Sequence, residues 1–176
     1  MTAVTTSPGP ETAPEPAFDA DERTMLDGWL DLHRATVARK CAGLSDDDAV
    51  RSLVPSATTV FGIVKHLLWV ERGWFQRRLG GRDFVDPPFS DADPDGEFRR
   101  APGETLAGVL AEYVEECERS RAVSSAMALD DIGAIQRDGD DVTVRWVLTH
   151  MIEETARHNG HLDILREQLD GVTGEW

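Results

Sequence analysis

The sequence predicts an all-α protein: a four-helix bundle with a long crossover between its second and third helices. Three observations favour this class: four long segments with helical spacing of apolar residues, no convincing alternating strand pattern, and one long connection rich in glycine and proline. The length of 176 residues fits one domain. We expect a disordered tail over residues 1–17, which are rich in proline and poor in apolar bulk, and one helical domain over residues 18–176.

The first two long helices are predicted over residues 19–43 and 56–79. In the first, Leu26, Leu30 and His33 belong to an amphipathic stripe that a glycine ends. A short helical turn is expected at residues 44–48. The second helix is apolar over a wide arc and ends before a pair of glycines, so we expect it to be largely buried.

The third and fourth long helices are predicted over residues 104–127 and 142–170. The connection over residues 80–103 is long enough to return the chain to the end where the second helix began, so the second and third helices can run parallel. The polar connector over residues 128–141 contains a short stretch, residues 132–135, that can adopt an extended conformation.

The charge of the chain excludes several classes of partner. Lys and Arg total 18 and Asp and Glu total 33, which gives a formal net charge of −15. Nucleic-acid binding needs a basic surface that displaces counterions, and an anionic membrane surface also attracts basic segments. No apolar run approaches the length of a membrane helix, and we see no secretory signal at the N-terminus. We therefore expect neither a nucleic-acid nor a membrane partner.

The cysteines and tryptophans are interpreted mainly as packing residues. Cys41 and Cys117 are too few for a disulfide framework or a thiolate zinc site, which indicates a reducing cytoplasm. Both lie at helical positions without a neighbouring histidine motif, so we expect them to pack in the core. We expect three tryptophans to fill the core for the most part, with one or two of them lining the mouth of a site: Trp69, Trp74 and Trp146.

Four candidate metal ligands share one face of the last helix. At about 100° per residue, His150, Glu154, His158 and His161 span an arc of about 80°. His158 lies near the centre of the apolar face and Glu154 lies at its seam, whereas the other two lie further round. Glu154 and His158 are therefore the pair expected to face inward, one turn apart, where they can share one ion.

A third ligand has to come from another helix, and His66 is the best candidate because its helix is otherwise the most apolar. Histidine and carboxylate ligands without cysteine suit Zn²⁺, Ni²⁺ or Fe²⁺, and we expect Zn²⁺ or Ni²⁺ first. The competing interpretation is a solvated Glu–His pair with hydrogen-bonded core histidines. A buried carboxylate is costly without a partner, however, and a cation is an efficient one.

Two segments resemble a known family. Residues 59–75, Thr-Val-Phe-Gly-Ile-Val-Lys-His-Leu-Leu-Trp-Val-Glu-Arg-Gly-Trp-Phe, resemble the second helix of the DinB-like (damage-inducible) metalloenzymes. Residues 150–167 resemble their last helix, and the likeness covers about residues 20–170, closest to a branch of mostly uncharacterised bacterial proteins. The resemblance implies an up-down-down-up bundle with a divalent metal near one end.

Carried onto this sequence, the ligands that the resemblance implies are His66, Glu154 and His158. Two histidines and one glutamate resemble the mycothiol-dependent maleylpyruvate isomerase branch. That enzyme has an additional C-terminal domain that we expect this chain to lack, so its activity does not simply transfer. His150 and His161 match the family pattern outside the usual ligand positions, which makes them candidates for a second coordination shell or for alternative ligands.

The function we expect is that of a metal-dependent thiol S-transferase or isomerase acting on a small electrophile. Three protein ligands leave an open coordination position, as in catalytic zinc sites, and the family uses its metal to activate low-molecular-weight thiols such as mycothiol. The alternatives are a metal-dependent hydrolase and a non-catalytic metal-binding or small-molecule-binding protein. The sequence leaves the oligomeric state open, with a homodimer as one option.

Overall fold

The structure, a computed structural model, describes residues 13–83 and 87–173, and throughout these ranges the regular structure is helical. The helices are α1 (Glu22–Cys41), α2 (Asp46–Ala49), α3 (Val60–Glu71), α4 (Leu106–Ser125) and α5 (Val144–Asp170). A π-helical segment, Arg72–Leu79, continues α3, and a 3₁₀ turn, Gly96–Phe98, lies in the connection before α4. The predicted all-α class is confirmed.

The four long helices begin at side chains that satisfy otherwise unpaired backbone N–H groups. The capping residues are Asp21, Thr59, Thr105 and Thr143, and each accepts a hydrogen bond from the backbone N–H three residues later. At the other end of α5, Gly171 adopts a left-handed conformation with φ of 71°, which glycine tolerates without steric cost. The predicted end of the last helix is therefore confirmed.

All four long helices begin two to four residues later than predicted, the first at Glu22 and the fourth at Val144. The second long helix begins at Val60 and not at residue 56, because the preceding residues form a turn. In that turn the Ser56 hydroxyl donates to the Thr58 hydroxyl at 2.9 Å, and Thr59 is extended before it caps the helix. The third long helix begins at Leu106, two residues later than predicted.

Two clusters of buried apolar side chains form the core, with α1 packed along α5 and α3 packed against α4. Cys41 and Cys117 are buried in the first cluster, as predicted. Trp69 and Trp74 are half-buried. The prediction that Trp146 is core bulk is wrong: it is 46% exposed, because it lies about 120° around α5 from His158 and outside the apolar face.

The remaining predictions concern the connections. The expected disordered tail, residues 1–17, falls mainly on residues 1–12, which are outside the described residues, and residues 13–17 have no regular secondary structure. The expected extended stretch makes one antiparallel bridge, between Ile132 and Thr143. None of the helices in the described residues combines the length and the hydropathy that a membrane span requires.

Candidate metal centre

Three predicted ligands meet between α3 and α5. One ligand atom each from His66, Glu154 and His158 lies within 4.8 Å of the other two. Glu154 and His158 are one turn apart on α5, and both are buried, whereas His66 faces them from α3 and is partly exposed. We call these three residues the donor cluster. The structure therefore brings together the set that the sequence analysis selected.

A single carboxylate oxygen joins the two rings of the donor cluster. Nε2 of His66 lies 3.0 Å from Oε1 of Glu154, and Nε2 of His158 lies 3.3 Å from the same oxygen. Both ring nitrogens donate to it. The second oxygen of Glu154 accepts a hydrogen bond from the guanidinium of Arg157, one turn further along α5. Glu154 is thus fixed by donors on both oxygens.

The sequence analysis missed Glu97, which contacts the donor cluster from the crossover. Its Oε1 accepts a hydrogen bond from Nδ1 of His66 at 2.7 Å, and the neighbouring Phe98 ring stacks on the His66 ring with centroids 4.9 Å apart. Glu97 is buried although it belongs to the 3₁₀ turn of an irregular connection. Such a turn has no apolar periodicity, so no pattern in the sequence indicated that this carboxylate points inward.

Charge in the donor cluster is set by these hydrogen bonds. Those from His158 and His66 hold the pKa of Glu154 well below its usual range, against the opposing effect of burial. Burial alone would lower the pKa of His66, but its hydrogen bonds to Glu154 and Glu97 outweigh burial and raise the pKa to about 9. Both nitrogens of His66 therefore carry protons at neutral pH, between two carboxylates.

The other two histidines of α5 lie beside the donor cluster and not within it. The ring of His161 meets the ring of His158 edge-on at 5.4 Å, on the exposed side. His150 stacks on Trp146 at 5.1 Å and packs against Trp74 at 4.8 Å. Burial lowers the pKa of both His150 and His161, so both rings are neutral at neutral pH.

The chemistry of the donor cluster fits a divalent cation. Two imidazole nitrogens and one carboxylate oxygen are a known ligand set of catalytic zinc sites, in which a fourth position stays open. With an ion in place of the Nε2 proton, the contact between Glu97 and Nδ1 of His66 would complete a carboxylate–histidine–metal arrangement, which orients the ring. Among the described residues, Nδ1 of His158 is buried without a hydrogen-bond partner. These groups could hold one ion.

The two cysteines cannot supply a reactive sulfur to this centre. Burial raises the pKa of the Cys41 thiol to about 12, and burial followed by the charge of Glu71 raises that of Cys117 as well. The thiolate is the nucleophilic and metal-binding form, so both side chains are inert at neutral pH. Any sulfur that reacts at the donor cluster has to arrive with a small molecule.

Comparison with protein families agrees with the geometry. The model of the mycothiol-S-transferase family matches residues 25–171, which include the four long helices almost completely and the whole donor cluster. The chain therefore belongs to this family, which is DinB-like, as the sequence resemblance predicted. No curated protein matches the chain. The family indicates a thiol S-transferase activity related to mycothiol.

Proposed function

We propose that the protein is a metal-dependent thiol S-transferase in which His66, Glu154 and His158 hold one divalent ion, Zn²⁺ or Ni²⁺. Mycothiol is the proposed cosubstrate, and a small electrophile accepts its sulfur. The observation that carries the proposal is the convergence of three donor atoms, two of them on buried residues, in a chain of this family. A bound ion would lower the pKa of a coordinated thiol and so supply a thiolate at neutral pH.

The residues around the donor cluster have distinct proposed roles. Glu97 accepts a hydrogen bond from Nδ1–H of His66, which keeps Nε2 as the nitrogen that would face the ion. Arg157 holds the outer oxygen of Glu154, which leaves the inner oxygen for the ion. Binding of a cation through these nitrogens requires that the Nε2 proton leave both His66 and His158. The proton of His66 goes to solvent, because its Nδ1 already carries the proton donated to Glu97.

The proposal includes an up-down-down-up arrangement of the four long helices. Near the two ends of α1, Glu22 pairs with Arg145 and Lys40 pairs with Asp163, in the same order along α5, which supports parallel α1 and α5. Lys65 of α3 pairs with Glu104, just before α4, and Arg72 of the π-helical continuation pairs with Glu112 within α4, also in matching order, which supports parallel α3 and α4. Contacts between α3 and α5 follow opposite orders along the two helices, which supports an antiparallel pair.

Metal analysis of chelator-free protein, with the His158→Ala variant beside it, tests the proposed ligands. We expect a stoichiometric divalent ion in the wild type and loss of that ion in His158→Ala. The matched control is His150→Ala, which removes a histidine of the same helix that lies outside the donor cluster and should leave the ion bound. Equal occupancy in wild type and His158→Ala would falsify the proposed ligand set.

A second measurement tests thiol transfer itself. The metal-loaded protein is mixed with mycothiol and a panel of small electrophiles, and the free thiol is followed over time. We expect thiol consumption that stops when the ion is removed and resumes when it is restored. If the loaded protein consumes no thiol with any electrophile, while it still binds the ion, the transferase proposal is wrong.

A further inference from the structure

A cavity of about 250 Å³ lies at one end of the seam between α3 and α5. The segment that precedes α3 forms one wall and α5 forms the other. The lining residues are Val54, Ser56, Thr58, His161, Ile164 and Leu165. We call this cavity the His161 pocket.

The His161 pocket lies next to the donor cluster. The imidazole of His161 forms part of its wall and meets the ring of His158 edge-on, with centroids 5.4 Å apart. Leu165, deeper in the same wall, follows His158 by seven residues and so lies on nearly the same face of α5, two turns further on. A molecule in the pocket would therefore lie one side chain away from the donor cluster.

The walls of the His161 pocket are mainly apolar and carry no acidic or strongly basic side chain. None of the six lining residues is an Asp, Glu, Lys or Arg, and the hydroxyl of Ser56 donates its proton to the hydroxyl oxygen of Thr58 at 2.9 Å. Ile164 remains 55% exposed at the rim. Four other cavities of the described residues each carry at least two cationic side chains. The pocket beside the donor cluster is thus suited to an uncharged ligand.

We propose that the His161 pocket binds the apolar part of the electrophile, and that the preferred acceptors of the thiol are small, uncharged and hydrophobic. This inference rests on the proposed function. A cavity of about 150 Å³ lined by apolar side chains binds benzene, so the volume here accepts a phenyl or hexyl group. Such a group, seated beside His161, presents its reactive carbon toward the donor cluster.

The transfer step is balanced without any further reactant. The thiol gives its proton to solvent when it becomes a thiolate. Its sulfur then forms a bond to the electrophilic carbon while the bond from that carbon to the leaving group breaks, and the electron pair departs with the leaving group. The apolar part of the electrophile remains in the His161 pocket throughout and takes no part in the bond changes.

Methyl-labelled isoleucine in the full chain tests whether the pocket binds an apolar ligand, without any need for turnover. Hexanol, which is uncharged and unreactive, is titrated into the metal-loaded and the metal-free protein. We expect a saturable chemical-shift change for the Ile164 methyl group in both forms. Ile132, which is 54% exposed on the connector before α5, is the matched control and should not shift. No saturable change at Ile164, or an equal change at both residues, overturns the inference.

Turnover gives the second test, with methyl, butyl and hexyl electrophiles that share one leaving group. We expect kcat/KM to rise with chain length in the wild type, and the hexyl-to-methyl ratio to fall about tenfold or more in Ile164→Ser. Ile132→Ser should leave that ratio unchanged. Thiol transfer without a chain-length preference overturns the inference and leaves the proposed function intact. Saturable hexanol binding without any thiol transfer overturns the proposed function, together with the pocket's role in it.

Discussion

Two buried glutamates in this protein have chemically different partners. Glu71 receives two hydrogen bonds of 2.8 Å from the guanidinium of Arg34, and both side chains are almost completely buried. Glu154 receives its inner hydrogen bonds from two histidines and its outer one from the exposed Arg157. An arginine stays charged at any ordinary pH, whereas a histidine can release its proton and bind a metal.

The chemistry of these partners separates a structural ion pair, Arg34 with Glu71, from the proposed metal centre at Glu154. The pair of Arg34 and Glu71 joins α1 to the end of α3, and its geometry leaves no nitrogen lone pair for an ion. At Glu154 the positive charge comes from protons that a metal can replace. Burial of a carboxylate is thus an ambiguous feature until the chemistry of its partner is known.

The largest expected effect is on the structural pair. In Arg34→Met the carboxylate of Glu71 stays buried without its partner, so the free energy of unfolding should fall by about 3–5 kcal/mol. Chemical denaturation measures this change in the free energy of unfolding. Arg34→Met combined with Glu71→Met removes both charges and should recover part of the loss. If Arg34→Met were as stable as the wild type, the ion pair of Arg34 and Glu71 would contribute nothing to the free energy of unfolding.

The next effect is a dependence of metal-free stability on pH. The pKa of His66 is raised to about 9 in the folded protein, so its contribution is complete below its unfolded pKa of 6.5 and is lost as pH rises through about 9. Between pH 6.5 and 9.5 the free energy of unfolding should fall by at most about 3 kcal/mol from this group. The same titration with His66→Gln should be flatter, and an identical slope would contradict the pKa.

A smaller effect is expected when the carboxylate behind His66 is neutralised. Glu97→Gln keeps the shape of the side chain but weakens the acceptor for Nδ1, so metal affinity should fall about 10–100-fold. Competition with a chelator of known affinity measures the change. The control is Glu104→Gln, a carboxylate of the same connection that pairs with Lys65, and it should bind the ion like the wild type.

The smallest effect is expected when Arg157, the exposed partner of Glu154, is removed. Arg157 is 56% exposed, so its ion pair with Glu154 is weakened by solvent, and Arg157→Ala should change the free energy of unfolding by less than about 1 kcal/mol. Thermal denaturation of the metal-free protein gives the value. If Arg157→Ala lowered the free energy of unfolding as much as Arg34→Met, the two glutamates would not differ in how strongly their arginine partners stabilise the fold.

The sequence predicted the donor cluster because its residues lie on two long helices with clear apolar faces. His158 falls near the centre of one face and Glu154 at its seam, and burial of both agrees with the helical wheel. The same reasoning could have found the structural pair. Arg34 follows Leu30 by four residues on the apolar stripe of α1, which is the position of a buried side chain.

Other features of the structure could not be predicted from the local sequence. Glu97 reaches His66 only because the crossover folds back on α3, a contact between residues 31 positions apart in an irregular segment. The change from α- to π-helix after Glu71 has no propensity pattern of its own. The start of α3 differs from the predicted one because the hydroxyls of Ser56 and Thr58 bond to each other in a turn, where a serine or a threonine can also begin a helix.

The 3₁₀ turn that carries Glu97 has a consequence for the crossover as a whole. A side chain at Gly96 would place its Cβ 1.7 Å from the carbonyl oxygen of Pro88, so the crossover closes on itself directly beside Glu97. Ion capture would therefore tighten residues 87–98 together with His66, and loss of the ion would loosen them. Protease cleavage and amide hydrogen exchange within this segment then become reporters of occupancy, faster in the stripped protein than in the loaded one.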